Sequence, residues 1–344
     1  MLTDGPLLSL INLPRFSFSR NSDRILTENQ RVVGSGKSAI VLALAFFKSQ
    51  GYLNNRFEEI LCPPWMGGWV YSCMTEFAFP AQYFSENAKI LYIYHQFGFM
   101  QDVDYLRDFA LTKGLVVIED SAHQLRFSDR KLDFATIGEI ALHSPPKFIS
   151  SSPLGVVQSL NQDFLSFVDT AKKDGSKIDP AMNAIARWKL DQRLRSDHRF
   201  SIPYAMKTQK IASRLYSSYP FTPNSTIFAE NSIVSLLPEY EQRFRRLREA
   251  YGAIPNELLP MLSPHNMESV PFKIPVKLSD SQIAKILTGE FQSHVGFNSV
   301  HFDFKQNMLR PAYQKAICIR IHSGITDTQF DLQISEVLRA LKVK

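Results

Sequence analysis

From Gly34 onward the apolar positions alternate between two spacings. Ser38–Gln50 is a continuous Ala-, Leu- and Phe-rich run without an internal Pro or Gly, which predicts a helix. Glu59–Cys62, closed by Pro63 and Pro64, predicts a short strand, and Ala88–Tyr94 a longer one. Val103–Lys113 has amphipathic helical spacing, and Leu115–Glu119 is a fully apolar strand. Ile137–Leu142 and Leu154–Gln158 read as two further strands. Apolar strands separated by helices of about ten residues predict a mainly parallel sheet covered on both faces. The stretch 163–217 is helical and charged, with Gly175 and Pro180 as punctuation, and 220–225 has the composition of a linker. Beyond it come a helix (Glu230–Tyr251), an extended segment (Ser269–Val276), a helix (Ser279–Phe291), a strand (Ala316–Ile321) and a last helix (Thr326–Leu341). That order predicts an α/β chain in three parts: an irregular N-terminal arm over 1–30, a large domain over 31–218 and a smaller α+β domain over 219–344.

Composition narrows the class without naming it. At 344 residues, 44% hydrophobic and 21% charged, the chain is an ordinary soluble globular protein with room for two domains. Its 26 Phe and 12 Tyr point to well-filled cores or a sizeable interface. The net charge of +6 favours anionic small molecules. The densest basic group, Arg243, Arg245, Arg246 and Arg248, is interleaved with acids, so it reads as a solvated helix face and not as a nucleic-acid patch. Cys62, Cys73 and Cys318 have neither disulfide-framework nor metal-ligand spacing, which fits a reducing compartment and no metal. Asp4 and Pro14 make a poor signal peptide, and no stretch nears the ~18 apolar residues of a membrane span. A cytoplasmic protein is the expectation.

The chemistry lies at strand ends. Asp120 closes Gly114–His123, a buried strand that delivers a carboxylate at its C-terminal end, with His123 three residues on. Lys147 stands in a proline-stiffened turn, Ser144-Pro-Pro-Lys147, after the strand that ends at Leu142. A lysine and a carboxylate presented in this way suit pyridoxal phosphate (PLP) chemistry, although a strand-end Asp and an unrelated surface Lys would read the same singly. Gly34-Ser-Gly-Lys-Ser38 ends like a nucleotide-binding loop, but Arg31 occupies the position of its first glycine. The run Leu26–Arg31 is also too polar for the buried strand that should feed such a loop. Two glycines and a serine opening a helix still make a phosphate cradle, or else a plain turn. Trp65 and Trp69, after Pro63-Pro64, are candidates to stack on a flat ring, or else core residues. With His95-Gln-Phe-Gly98, several strand C-termini carry polar or glycine-rich turns, and ligands of open α/β sheets bind at that edge.

Taken in order, these stretches resemble the DegT/DnrJ/EryC1/StrS family of sugar aminotransferases. The family's Gly-Ser-Gly-Thr-Ala-Ala-Leu helix start is similar to Gly34–Leu42, and its Val-Pro-aromatic turn to Cys62–Trp69. Its His-x-x-Gly, helix and Val-Ile-Glu-Asp-Ala-Ala-Gln/His are similar to His95–His123, and its Ser-x-x-Lys-Phe ending to Gly138–Phe148. Cys318–Phe330 is similar to its C-terminal strand and helix start. The resemblance implies the three-layer PLP-dependent transferase fold and a homodimer with sites at the subunit interface. It implies an aminotransferase that moves an amino group from a donor such as glutamate to a keto sugar carried on a nucleotide. It further implies Lys147 as the Schiff-base lysine, Asp120 as partner of the pyridinium nitrogen and His123 at the ring's phenolic oxygen. Gly36, Lys37, Ser38 and Ser144 would take the phosphate, and Trp65 would stack on the ring. The chain departs from the family at Lys37, where threonine is usual, and at Pro153-Leu-Gly155, where Gly-Gly is usual. Those departures motivate the alternative of a catalytically inactive homologue that binds ligands or acts as a scaffold. Retention of Lys147 argues against the family's dehydratase branch, in which histidine replaces the lysine.

Overall fold

The structure, a computed structural model, describes residues 25–64, 66–134, 138–176, 178–195, 210, 222–260, 269–286, 294–298 and 313–342. The expected N-terminal arm lies almost wholly outside them, as do most of 196–221 and residues 287–291 of the helix expected after Ser279.

The first strands in chain order are β1 (Gln30–Val33), β2 (Glu59–Leu61), β3 (Phe79–Ala81), β4 (Ala88–Tyr94) and β5 (Val116–Asp120). They are followed by β6 (Gln124–Ser128), β7 (Lys131–Leu132), β8 (Ile140–His143) and β9 (Gly155–Gln158). A seven-stranded sheet has the order β1-β9-β8-β5-β4-β2-β3. Its β2, β3, β4, β5 and β8 run parallel, and β9 is antiparallel to both of its neighbours. The helices around it are α1 (Gly36–Ser49), α2 (Gly68–Thr75), α3 (Val103–Lys113) and α4 (Gln162–Asp174), and α5 (Ile178–Arg195) follows in the chain.

Strand periodicity explains the three layers. In β4, Ile90 and Tyr92 face a core shared with α1 and α4, while Leu91 and Ile93 face a second core built with Leu106, Phe109 and Ala110 of α3. Both parities of β4 and β5 are therefore buried, which is why those strands read as unbroken apolar runs. Asp102 caps α3 by accepting from the Tyr105 N–H (3.1 Å), and Gly114, at φ 64°, ends it in the left-handed region.

Several elements differ from expectation. The polar run Leu26–Arg31 meets the sheet at its end, Gln30 and Arg31, where buried Gln30 is satisfied: its amide donates to the Leu132 carbonyl (2.8 Å) and to the Gln158 side chain. The loop at Gly34 is thus fed by a strand after all, but by an edge strand paired antiparallel. Trp69 belongs to α2 and not to a turn. The helix expected over Glu230–Tyr251 is two, Ile227–Ser232 and Leu236–Ala253, joined by a 3-10 turn at Ile233–Ser235. Ser269–Val276 divides into β10 (Ser269–Pro271), which joins β6, and β11 (Lys273–Lys277). A separate antiparallel sheet has the order β11-β13-β12, with β12 over His294–Asn298 and β13 over Tyr313–Arg320. Phe272 marks the break, and its N–H is shared between the carbonyls of Phe97 (2.8 Å) and His123 (2.9 Å). The C-terminal sheet is thereby tied to the ends of β4 and β5.

The arginine-rich helix Leu236–Ala253 corrects the expectation of a solvated face. Arg245 and Arg248 are outward, but Arg243 and Arg246 are 0% and 1% exposed. Arg243 pairs with buried Glu239 and donates to the carbonyls of Phe272 (2.7 Å) and Pro271 (3.3 Å). Arg246 donates to the carbonyls of His322 (2.6 Å) and Ile325 (3.0 Å) and to Asp327 (2.7 Å). Spacing alone showed charge at helical intervals; it did not show that carbonyls of a broken strand and a loop needed donors on the inner face.

Candidate active site

Strand register sets the site. Tyr94 is level with Asp120, and Asp120 with Leu142, so three adjacent parallel strands end abreast. The turn that follows β8 carries Lys147 to that edge, its N–H bonded to the Ser144 carbonyl (3.1 Å).

Asp120 is 4% exposed and its carboxylate is well supplied with donors. Tyr92 donates to Oδ2 (2.6 Å) and the Ala122 N–H to Oδ1 (2.9 Å), so two hydrogen bonds fix the orientation of the carboxylate. Burial, and then the Asp120 charge, push the Tyr92 and Tyr94 phenols well above their ordinary range, so both remain neutral donors.

His123 meets Lys147 directly. Its Nε2 is hydrogen-bonded to the Lys147 Nζ. Its Nδ1 lies 2.8 Å from the Tyr94 hydroxyl and 3.2 Å from the Phe97 N–H. The ring stacks on Phe272 (5.0 Å between centroids, 20° between planes) and is parallel to Phe97 (6.1 Å, 5°). Burial pushes the imidazole well below its usual range, and the charges of Lys147 and Lys273 add to this. Burial also lowers the Lys147 amine to about 8; Asp120 opposes that fall and Lys273 assists it. Lys273, only 6% exposed, reaches the site from β11, with Nζ 5.0 Å from the Phe97 ring centre and 5.6 Å from that of Phe272.

Of the residues expected to form a phosphate cradle, Gly36 and Ser144 adjoin. A Cβ on Gly36 would sit 3.1 Å from Ser144 Cβ and 3.2 Å from its Oγ, so the first turn of α1 meets the start of the lysine turn. Gly155 allows the same approach, since a Cβ there would fall 2.3 Å from the Ser35 carbonyl oxygen. Ser38 is occupied locally: its N–H donates to Ser35 Oγ (3.0 Å) and the two hydroxyls are 2.9 Å apart. It also borders a shallow cavity of ≈ 270 Å³ with Val41, Leu42 and Pro223, a hollow that contains none of the lysine-site residues. Lys37 extends over Trp69, with Nζ 4.8 Å from the ring centre, and burial lowers it to about 8 while Cys73 opposes the shift. Trp65 lies outside the described residues.

Sequence reading missed Tyr92, Tyr94, Phe97, Phe272 and Lys273. The first two had a signal, because they share the parity of Asp120 across the sheet. Phe272 and Lys273 had none, being more than a hundred residues away in the chain. His95 does not join the site. It pairs with Glu119 on the other face of β5 (2.8 Å, both side chains 0% exposed), and its Nδ1 accepts from the Gln101 N–H (3.1 Å).

No protein-family model matches the sequence. No curated protein matches it either. Solved structures do match it. A DegT DnrJ EryC1 StrS aminotransferase from Brucella abortus is 11% identical, with 92% of this chain and 86% of that one covered and a TM-score of 0.55. NtdA from Bacillus subtilis, with bound cofactor PMP, is 13% identical, with 91% and 73% covered and a TM-score of 0.59. A mutant of the GDP-4-keto-6-deoxymannose-3-dehydratase ColD, with bound GDP-perosamine, is 11% identical, with 90% and 88% covered and a TM-score of 0.55. A mainly parallel sheet with one antiparallel strand, helices on both faces and a C-terminal α+β unit thus gives this chain the three-layer fold of the DegT/DnrJ/EryC1/StrS-type aminotransferases.

Proposed function

We propose that the chain is a PLP-dependent aminotransferase that moves an amino group from a donor such as glutamate to a nucleotide-linked keto sugar. The observation that carries this reading is the half-buried Lys147 amine at the C-terminal edge of the parallel sheet, hydrogen-bonded to His123 and under the charge of Asp120. The residues present fit PLP. The lysine, carboxylate and imidazole supply the three functions the ring needs, and Gly36 leaves the gap over Ser144 that a larger residue would fill. In this reading Lys147 would hold the cofactor, Asp120 would face the pyridine nitrogen and His123 the phenolic oxygen. Gly36, Lys37, Ser38 and Ser144 would take the phosphate, with Trp65 against the ring. Bound PLP supplies an aldehyde that takes up the amino group and a ring that withdraws electrons. The protein's own part is acid–base work and positioning. An amine lowered to about 8 can take a proton from the amino-bearing carbon near neutral pH and give it back. Asp120, fixed by Tyr92 and the Ala122 N–H, favours positive charge opposite it.

The proposal extends to a cytoplasmic homodimer in which residues 31–218 hold the cofactor and 219–344 close over it. Three buried free cysteines support the compartment, and exposed Phe57, Trp69, Phe79 and Tyr83 offer apolar surface for a second subunit. No described helix is long and apolar enough to cross a membrane.

The test is an absorbance spectrum with saturating PLP, then borohydride reduction and mass mapping of the labelled lysine. A yellow protein labelled at Lys147, colourless as Lys147→Ala, and exchanging amino groups between glutamate and nucleotide keto sugars is the expected result. Label on another lysine, or no colour, overturns the assignment. Colour without exchange would favour the ligand-binding homologue, which the placement of Lys37 over Trp69 keeps as the second reading.

A further inference from the structure

Hydrogen-bond donors around His123 fix where its proton sits. A backbone N–H can only donate, and that of Phe97 is directed at Nδ1. Nδ1 therefore presents a lone pair, which the Tyr94 hydroxyl also addresses. A neutral ring with a bare Nδ1 carries its proton on Nε2, and Nε2 faces the Lys147 Nζ. An ammonium has no lone pair with which to accept. The opposite assignment, with Lys147 donating as an ammonium, would put a proton on Nδ1 directly against the Phe97 N–H.

The backbone departs from its ordinary conformation to make this arrangement. Phe97 has φ 56° and ψ 5°, a left-handed conformation rare for a bulky side chain. Gly98 follows at φ 97°, where a Cβ would fall 2.2 Å from the His123 carbonyl oxygen. The Phe97 carbonyl, on its other side, is held by the Phe272 N–H. The turn is thus clamped between His123 and the C-terminal sheet with its N–H aimed at the imidazole.

We propose that Tyr94 and the backbone N–H of Phe97 are positioning groups that lock His123 in its Nε2–H tautomer and thereby hold Lys147 as a neutral amine. Burial and the Lys273 charge move Lys147 toward this state, and Asp120 opposes it. Lys147 is influenced by Asp120 from β5 and Lys273 from β11, His143 of β8 is a further titratable neighbour, and Arg243 covers the neighbouring Phe148 ring at 4.9 Å. Of these, Asp120 alone favours the ammonium. The hydrogen bond from Nε2–H adds to burial and Lys273, because only the neutral amine can receive it. Its bearing on amino-group transfer rests on the function proposed above, whereas the tautomer does not.

The experiment uses the full chain without added cofactor. Histidine-selective ¹⁵N NMR, with His123 assigned by its loss in His123→Gln, is expected to show a bare Nδ1 and a protonated Nε2 at neutral pH. Competitive labelling with fluorodinitrobenzene and mass mapping then gives the pH midpoint of Lys147. Tyr94→Phe is expected to raise that midpoint by about one pH unit, as one donor to Nδ1 is lost. A protonated Nδ1, an imidazolium, or an unmoved Lys147 midpoint in Tyr94→Phe overturns the proposal. A colourless protein with the Nε2–H tautomer would sink only the proposed function, and a yellow protein with Nδ1–H would sink only this inference.

Discussion

Replacing Arg243 by Met removes one partner of an ion pair that water does not reach. Arg243 and Glu239 have side chains 0% and 3% exposed. Burial lowers the guanidinium from its ordinary range, Glu239 opposes the shift, and Arg246 adds to it. In Arg243→Met the Glu239 carboxylate keeps only the Ser323 N–H (3.2 Å) as a described partner. Breaking a buried pair from one side costs about 3–5 kcal/mol. The Phe272 carbonyl, which accepts from Arg243 at 2.7 Å, also loses a donor, at a further cost of about 1 kcal/mol. Met fills the space over Phe148, so little cavity cost is added. The sum, roughly 4–6 kcal/mol, is a large part of the ~5–15 kcal/mol that holds a typical domain. Urea unfolding followed by tryptophan fluorescence measures it. The double variant Glu239→Leu, Arg243→Met removes the stranded carboxylate and lets the exposed Ser323 turn its N–H to water. Its cost is expected to fall to roughly 1–2 kcal/mol. A single variant that loses less than ~1 kcal/mol, or a double no more stable than the single, would refute the assignment of Arg243 as a buried tie between helix and strand.

Two further outcomes test the surroundings of Lys147. His143 is held neutral by burial, down to about 3, with its Nε2 on the Gln124 carbonyl (2.8 Å). A base lowered in the folded state costs nothing above the unfolded value near 6.5. As pH falls below that value the unfolded chain binds the proton first, and roughly 1.4 kcal/mol of stability is lost per pH unit down toward the folded value. His143→Gln is therefore expected to flatten the fall in urea midpoint between pH 7 and 5 relative to the parent chain; equal slopes would contradict it. Gly98→Ala places a methyl against the His123 carbonyl at a φ of 97°, with an expected cost of about 2–5 kcal/mol by thermal or urea unfolding. A variant as stable as the parent would show that the turn is not held where described.

Much of the sheet and half of the site were legible in the residues. β4, β5 and α3 were readable because their periodicity is clean and both parities of the strands are buried. Asp120, His123 and Lys147 were readable because strand ends that carry polar groups stand out against apolar runs. β1 was missed because Gln30 is a buried polar residue whose partners, Leu132 and Gln158, are distant in the chain. The inward arginines were missed because helical spacing gives the face a residue occupies, not whether that face meets water or unpaired carbonyls.

The sequence by itself determined the alternation of strands and helices and the order of polar strand ends, since both follow from local periodicity and backbone chemistry. Tertiary structure alone decided which groups surround Lys147. Register across three strands brought Asp120 and Tyr94 level, and the break at Phe272 carried Phe272 and Lys273 from the far end of the chain onto His123. The protonation state of a half-buried amine depends on donors and charges within a few ångströms, and those are set by packing and not by neighbours in the chain.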